Sequence, residues 1–181
     1  ISRGLVGSEM CIRDRLIVMS PKSLLRHPLC TSTLEELSDG TFQPAIPETD
    51  NLEPSKVKRV VFCSGKVYFD LLEQRRNNEQ DDVAIVRIEQ LYPFPMDEVQ
   101  AAIAQYTNVE DFVWCQEEPQ NQGAWYCSQH NFRAAIPAGA DLKYAGRPAS
   151  ASPAVGYMSV HLKQQKALVE DALNVNSKTS N

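Results

Sequence analysis

"VKRVVFCSGKVYFDLLEQRRN", residues 57–77, decides the fold. Val57, Val60, Val61, Phe62 and Cys63 make an apolar, β-branched run of the kind that forms a strand buried on both faces. Gly65 ends that run, and Val67, Leu71 and Leu72 then recur at helical spacing. Downstream the same alternation repeats. "DVAIVRIE" (82–89) reads as a second strand, and "PMDEVQAAIAQYTN" (95–108) as a second helix with Val99, Ile103 and Tyr106 on one face. "VEDFVWCQEE" (109–118) and "DLKYAG" (141–146) are the next strands; "NQGAWYCSQHNFRAAI" (121–136) and "SVHLKQQKALVEDAL" (159–173) are the next helices. Strands and helices alternating through short connectors predict an α/β fold, a mainly parallel sheet with helices on both faces.

Upstream the pattern is looser. "LIVM" (16–19) reads as an opening strand and "SPKSLLRHPL" (20–29) as a short helix, capped by Ser20 with Pro21 at its first position. Residues 38–56 hold three prolines and several turn formers, the composition of a long connector. Residues 1–15, "ISRGLVGSEMCIRDR", show no period and break abruptly into the apolar run. They resemble translated adapter sequence, which has no place in fold reasoning; the alternative is a disordered terminus. The expected organisation is a leader over 1–15, an opening strand, short helix and connector over 16–56, the α/β domain over 57–175 and a disordered tail over 176–181.

Composition excludes several functions. The net charge of −5 over 181 residues lacks the clustered basic excess that nucleic acid requires. No apolar run approaches the ~20 residues that span a bilayer, and no signal peptide opens the chain, so a cytoplasmic location is expected. Cys11, Cys30, Cys63, Cys115 and Cys127 form no CxxC pair and read as reduced thiols, Cys63 and Cys115 as core residues. Cys127 and His130 have the spacing of half a metal site, but no second half follows, so no metal is expected.

In a parallel sheet the carboxyl ends of the strands share one edge, and ligands favour the crevice where the strand order reverses. That edge collects Ser64, Gly65 and Lys66, then Glu89 and Gln90, then Gln116, Glu117 and Glu118, then Gly146 and Arg147. The "SGK" turn opens a helix, whose free amides favour an anion, but it lacks the spaced glycine and the following Ser or Thr of a P-loop. Adjacent Glu117 and Glu118 point to opposite sides and make no carboxylate dyad; one of them is expected to fix the loop. Arg147 either binds a carboxylate or phosphate bidentately, or pairs with Glu117 or Glu118 inside the rim or across a subunit contact. No nucleophile elbow or triad signature is present, so no catalytic residue is named.

Five stretches in order, "VMSPKSLLRHP", "CSGKVYFDL", "VAIVRIEQLYPFP", "VWCQEEPQNQGAW" and "YAGRPASASPAVGYMSVH", resemble the C-terminal part of the decarboxylating first component of 2-oxoglutarate dehydrogenase, bacterial branch. The resemblance runs from about Leu16 to Val175. "SPKSLLRHP" and "RPASASPAVG" favour this branch over the pyruvate and branched-chain relatives. The resemblance implies a transketolase-like C-terminal domain. It implies thiamine diphosphate and Mg2+ held by two preceding domains, whose motifs do not occur in this sequence. The parent would decarboxylate 2-oxoglutarate and pass the succinyl group to the lipoyl arm of dihydrolipoyl succinyltransferase, with dihydrolipoyl dehydrogenase completing the complex. The fragment alone is expected to be inactive, lending structure and a homodimer interface. Some members carry a nucleotide or acyl-CoA regulator here, which makes Arg26, Lys66, Gln116 and Arg147 candidates for anion contacts, with AMP or acetyl-CoA as ligand. Glu117, Glu118, Gln122 and Trp125 are the interface candidates. A free-standing nucleotide- or acyl-CoA-binding module is the alternative.

Overall fold

The computed structural model describes residues 19–109 and 111–175. Contacts divide the chain after Phe42. In the first unit a 3-10 helix spans Lys22–Arg26 and helix α1 spans Leu34–Asp39. Thr33 caps α1 through a reciprocal box: its hydroxyl accepts from the Glu36 amide at 3.2 Å, and the Glu36 carboxylate accepts from the Thr33 amide at 2.7 Å. The Thr-x-x-Glu signal for α1 stands in the sequence at residues 33–36. The upstream helix differs from expectation as well: Pro21 is its N-cap, and no side chain caps it. Neither helix buries a residue. The expected leader, the tail from residue 176 and the expected opening strand, apart from the strand-free Met19, lie outside the described residues.

The second unit holds strands β1 (Ala45–Ile46), β2 (Arg59–Cys63), β3 (Val83–Ile88), β4 (Asp111–Pro119) and β5 (Leu142–Arg147). Helices α2 (Val67–Asn77), α3 (Met96–Ile103), α4 (Trp125–Ala135) and α5 (Met158–Leu173) alternate with them. The sheet order is β1-β3-β2-β4-β5; β2 to β5 run parallel and β1 is antiparallel to β3. The α/β expectation holds: β2 is buried throughout because both of its faces are covered. Val60 and Phe62 face the side of α4, where the Phe132 ring packs 4.9 Å from Phe62, 4.9 Å from Phe94 and 5.0 Å from Trp114. Successive strand residues point to opposite faces, so Arg59, Val61 and Cys63 turn toward α2 and α5. Helix α5 packs on β4, β5 and α2.

The connector over 38–56 is where structure and sequence part. Ala45 and Ile46 pair with Ile88 and Arg87, and the Glu48 side chain is only 4% exposed. Glu48 is drawn inward by Arg75, which holds both of its oxygens and donates to the Val83 carbonyl at 3.0 Å. Its carboxylate also accepts the Ile85 amide at 2.7 Å. Asp50 takes the other side of Arg75 at 2.6 Å and Arg76 as well. Residues 45–50 therefore belong with the sheet. Helix α2 ends beside this cluster in a paired-turn cap, with Gln80 N to Arg75 O and Glu79 N to Arg76 O at 3.1 Å each, and Glu79 at φ 51°.

A second ionic cluster fastens the last helix. Arg59, inside β2 and fully buried, grips Asp111 through two bonds of 2.9 and 2.8 Å. Its remaining nitrogen donates to the Asp171 and Ala172 carbonyls at 3.0 Å each, and Gln80 donates to the Leu173 carbonyl at 2.9 Å. The carbonyls at the end of α5, which have no partner within the helix, are thereby satisfied by Arg59 on β2 and by Gln80 in the connector before β3.

Candidate functional site

The strand connections diverge between β2 and β4: the chain leaves β2 toward β3 on one side and β4 toward β5 on the other. The carboxyl ends of these neighbours therefore frame the crevice that the sequence marked. Gly65, at φ 73°, turns the chain from β2 into α2 and presents Lys66. Lys66 Nζ lies 2.8 Å from Asp70 and 3.2 Å from Glu117 across the gap. Burial disfavours its charge, but the Asp70 hydrogen bond and the Glu117 carboxylate outweigh that and raise its pKa above the ordinary lysine value. An anion at this turn would have to displace two carboxylates. The turn does not fit a diphosphate, and among the described residues no trio of His, Cys, Asp or Glu is grouped to hold a metal ion.

Gln116 clamps the loop that follows β4. Its Oε1 accepts the Trp114 indole N–H at 2.9 Å and the Trp125 amide at 3.1 Å. Its Nε2 donates to the carbonyls of Gln122, Pro119 and Glu118 at 2.8, 3.2 and 3.3 Å. Gly123 meets two demands at once: φ is 65°, and a Cβ there would lie 3.0 Å from the Gln116 amide nitrogen. The clamped loop then anchors the Pro- and Ser-rich strap after β5. Asn121 exchanges hydrogen bonds with Ser150 at 3.0 and 2.9 Å, and Gln122 donates to the Ser150 carbonyl at 3.1 Å.

Arg147 ends β5 and is 7% exposed. It pairs with neither Glu117 nor Glu118. Its NH2 instead lies 3.0 Å from His161 Nδ1 and donates to Gln165 Oε1 at 3.0 Å, both on α5. Gln165 in turn donates to Asp70 at 2.8 Å, which closes a polar chain from Glu117 through Lys66 and Asp70 to Arg147 and His161. Arg147 Nε is buried without a hydrogen-bond partner, and so is Gln164 Oε1. Both line a recess of about 190 Å³ under the strap, and both also border a groove of about 1030 Å³ along β5.

The sequence candidates thus separate. Lys66, Glu117 and Arg147 come together through Asp70 and Gln165, and Gln116 stands behind them as a scaffold. Arg26 is exposed in the first unit. Trp125, expected at an interface, is 6% exposed and packs its ring 5.2 Å from Tyr144. Glu118 is exposed; Gln122 is spent on the strap. The sequence reading missed His161, Gln164 and Gln165, whose only signal was a run of polar positions on the terminal helix. Cys63 and Cys115 sit side by side in register, fully buried, and burial pushes both thiols far up, so neither is a nucleophile.

Comparison with known proteins agrees with this architecture. The family model described as 2-oxoglutarate dehydrogenase C-terminal matches residues 31–173. A 2-oxoglutarate dehydrogenase E1 component of Haemophilus influenzae is 70% identical over 163 residues, 90% of this chain and 17% of the relative. The corresponding protein of Azotobacter vinelandii is 56% identical over 167 residues, 91% of this chain and 18% of the relative. The chain therefore spans less than a fifth of the length of the curated relatives it matches. A split-gene transketolase, an inactive β4 tetramer, superposes with a TM-score of 0.50 at 14% identity, over 77% of this chain and 46% of that one; the likeness is one of fold.

Proposed function

Because the chain belongs to the 2-oxoglutarate dehydrogenase C-terminal family, we propose that it serves as the C-terminal part of a bacterial 2-oxoglutarate dehydrogenase E1 component, contributing structure and subunit interface. The identity of 70% across 90% of the chain carries this reading. In the parent, other domains would hold thiamine diphosphate and Mg2+ and decarboxylate 2-oxoglutarate in the cytoplasm. The succinyl group would pass to the lipoyl arm of dihydrolipoyl succinyltransferase, with dihydrolipoyl dehydrogenase as third partner, and the E1 component would be a homodimer. The polar chain from Glu117 to Arg147 supports a structural role, since Lys66, Asp70, Gln165 and Arg147 are held to one another by hydrogen bonds. Among the described residues no helix is long and apolar enough to cross a membrane.

The test is a graft. Residues 31–173 replace the matching stretch of the Haemophilus influenzae relative, and release of CO2 from 2-oxoglutarate is measured with thiamine diphosphate and Mg2+ supplied. The expected outcome is activity close to that of the ungrafted protein, while the 181-residue chain alone releases none. An inactive but folded graft sinks the reading, and so does turnover by the chain alone. The regulator reading, AMP or acetyl-CoA, takes Arg147 as its contact, since Lys66 and Gln116 are committed internally and Arg26 belongs to the first unit. Calorimetry with both ligands decides it, and any heat should vanish in Arg147→Ala.

A further inference from the structure

Helix α5 is fastened differently along its two halves. Its buried residues, Leu168, Val169, Ala172 and Leu173, all lie in the second half, where Arg59 and Gln80 also take the last carbonyls. Residues 158–167 bury no side chain. His161 and Gln165 are half-buried there, and both meet Arg147 at the end of β5. The strap over residues 148–157 runs from Arg147 into the first turn of the helix, tied on its way through Ser150 to Asn121 and Gln122.

The contact of 3.0 Å between Arg147 Nη2 and His161 Nδ1 fixes a protonation state. A guanidinium donates only and keeps its charge, so Nδ1 is the acceptor and the ring proton sits on Nε2. A proton added at Nδ1 turns the acceptor into a donor and sets a second cation against an arginine that is 7% exposed. The elements packed on α5 bring Arg147 from β5, Lys66 and Asp70 from α2 and Glu117 from β4 to this corner. Lys66 already holds both carboxylates, and Gln165 donates to Asp70 as well, so neither is left over to receive an imidazolium. The strap has no acidic or basic residue, only Tyr157 at its end, and Lys163 and Lys166 on the helix itself are exposed cations.

We propose that His161 is a pH-sensitive latch: protonation of its ring breaks the contact with Arg147 and frees the first turn of α5, together with the strap that leads into it. Gln165 and the second half of the helix stay in place. The inference goes beyond the family reading and is tested without it.

The experiment uses the 181-residue chain with 15N in its three histidines, together with amide hydrogen exchange. At about pH 7.5 the His161 ring should show a bare Nδ1 and a protonated Nε2, its resonances assigned by their loss in His161→Asn. Acidification to about pH 5.5 crosses the ordinary range of an imidazole. It should lower the protection of the Val160 and His161 amides, both bonded to the Tyr157 carbonyl, by about fivefold, the loss of one hydrogen bond. Val169 and Ala172, in the fastened half, should keep theirs, which separates local release from general unfolding. His161→Asn offers an oxygen near the place of Nδ1 and does not titrate, so its protection should be the same at both pH values. His161→Ala should be low at both. A proton on Nδ1 at pH 7.5 overturns the proposal. So does protection in the native chain that acid leaves unchanged, or an equal acid loss in His161→Asn.

Discussion

The two ends of the sheet are built from the same residue types and arranged to opposite effect. At the amino end, Arg59 and Arg75 are 0% and 1% exposed, and their partners Asp111 and Glu48 are 8% and 4% exposed. Each arginine also takes carbonyls that would otherwise go unpaired, so the cluster is closed. At the carboxyl end, Lys66 and Glu117 are 27% and 28% exposed, and Arg147 keeps a donor without a partner. The difference teaches where the protein stores stability and where its ion pairs stay open to solvent. A charge pair sealed from water must be complete, because breaking it strands an ion in low dielectric; a half-exposed pair can be rearranged at little cost.

Removing one partner of the sealed pair should have the largest effect. Asp111→Ala leaves buried Arg59 with carbonyls alone and should cost about 3–5 kcal/mol in urea unfolding. A loss under about 1 kcal/mol would mean that the amino end is no more anchored than the rim. Gln116→Leu comes next. It deprives the Trp114 indole, the Trp125 amide and three carbonyls of their partner and should cost about 2–3 kcal/mol, with faster hydrogen exchange over residues 118–125. A smaller loss would show that water replaces the clamp.

Acid should discriminate between the two ends. Burial opposes charge on Asp111, but Arg59 and Lys143 outweigh it and hold the carboxyl below the usual aspartate range. The Arg76 hydrogen bond does the same for Asp50 against burial, with help from Arg75. The unfolded chain then takes up protons first, so this stabilisation is complete above the unfolded value of about 3.9 and is lost as pH falls through the lower folded values. Unfolding midpoints measured from pH 6 down to about pH 3 should fall steeply for the native chain and less steeply in Asp111→Asn. Equal slopes would remove Asp111 as the acid-sensitive anchor. The smallest change is expected from Lys66→Met, under about 1 kcal/mol, because its pairs are screened by solvent.

Much of the fold was legible because it rests on local chemistry. Short runs rich in β-branched residues such as "RVVFC" and "VAIVRI" favour buried strands, and Gly65 marks the stop that a left-handed turn requires. β1 was not legible, since two residues between prolines carry no period, and Glu48 looked like one more polar loop residue. Its burial depends on Arg75, 27 positions away. The rim residues are found by their place after each strand, yet the hydrogen bonds of Gln116 and the burial of Trp125 are not written there, for a related reason. Strand ends look alike whether they face a ligand or hold a loop, and the turn over residues 119–122, closed by Gln122 N donating to Pro119 O, folds both carbonyls back onto Gln116.

By itself, then, the sequence determined the alternation of strands and helices, the edge on which polar groups gather, and the family, because each is written in short runs of neighbouring residues. Only the tertiary structure decided that Arg59 faces Asp111, that Arg147 turns to α5 rather than to Glu117, and that Glu48 is drawn in beside Arg75. Those facts depend on strand order and register, which bring together residues tens of positions apart and are set by how the whole core packs.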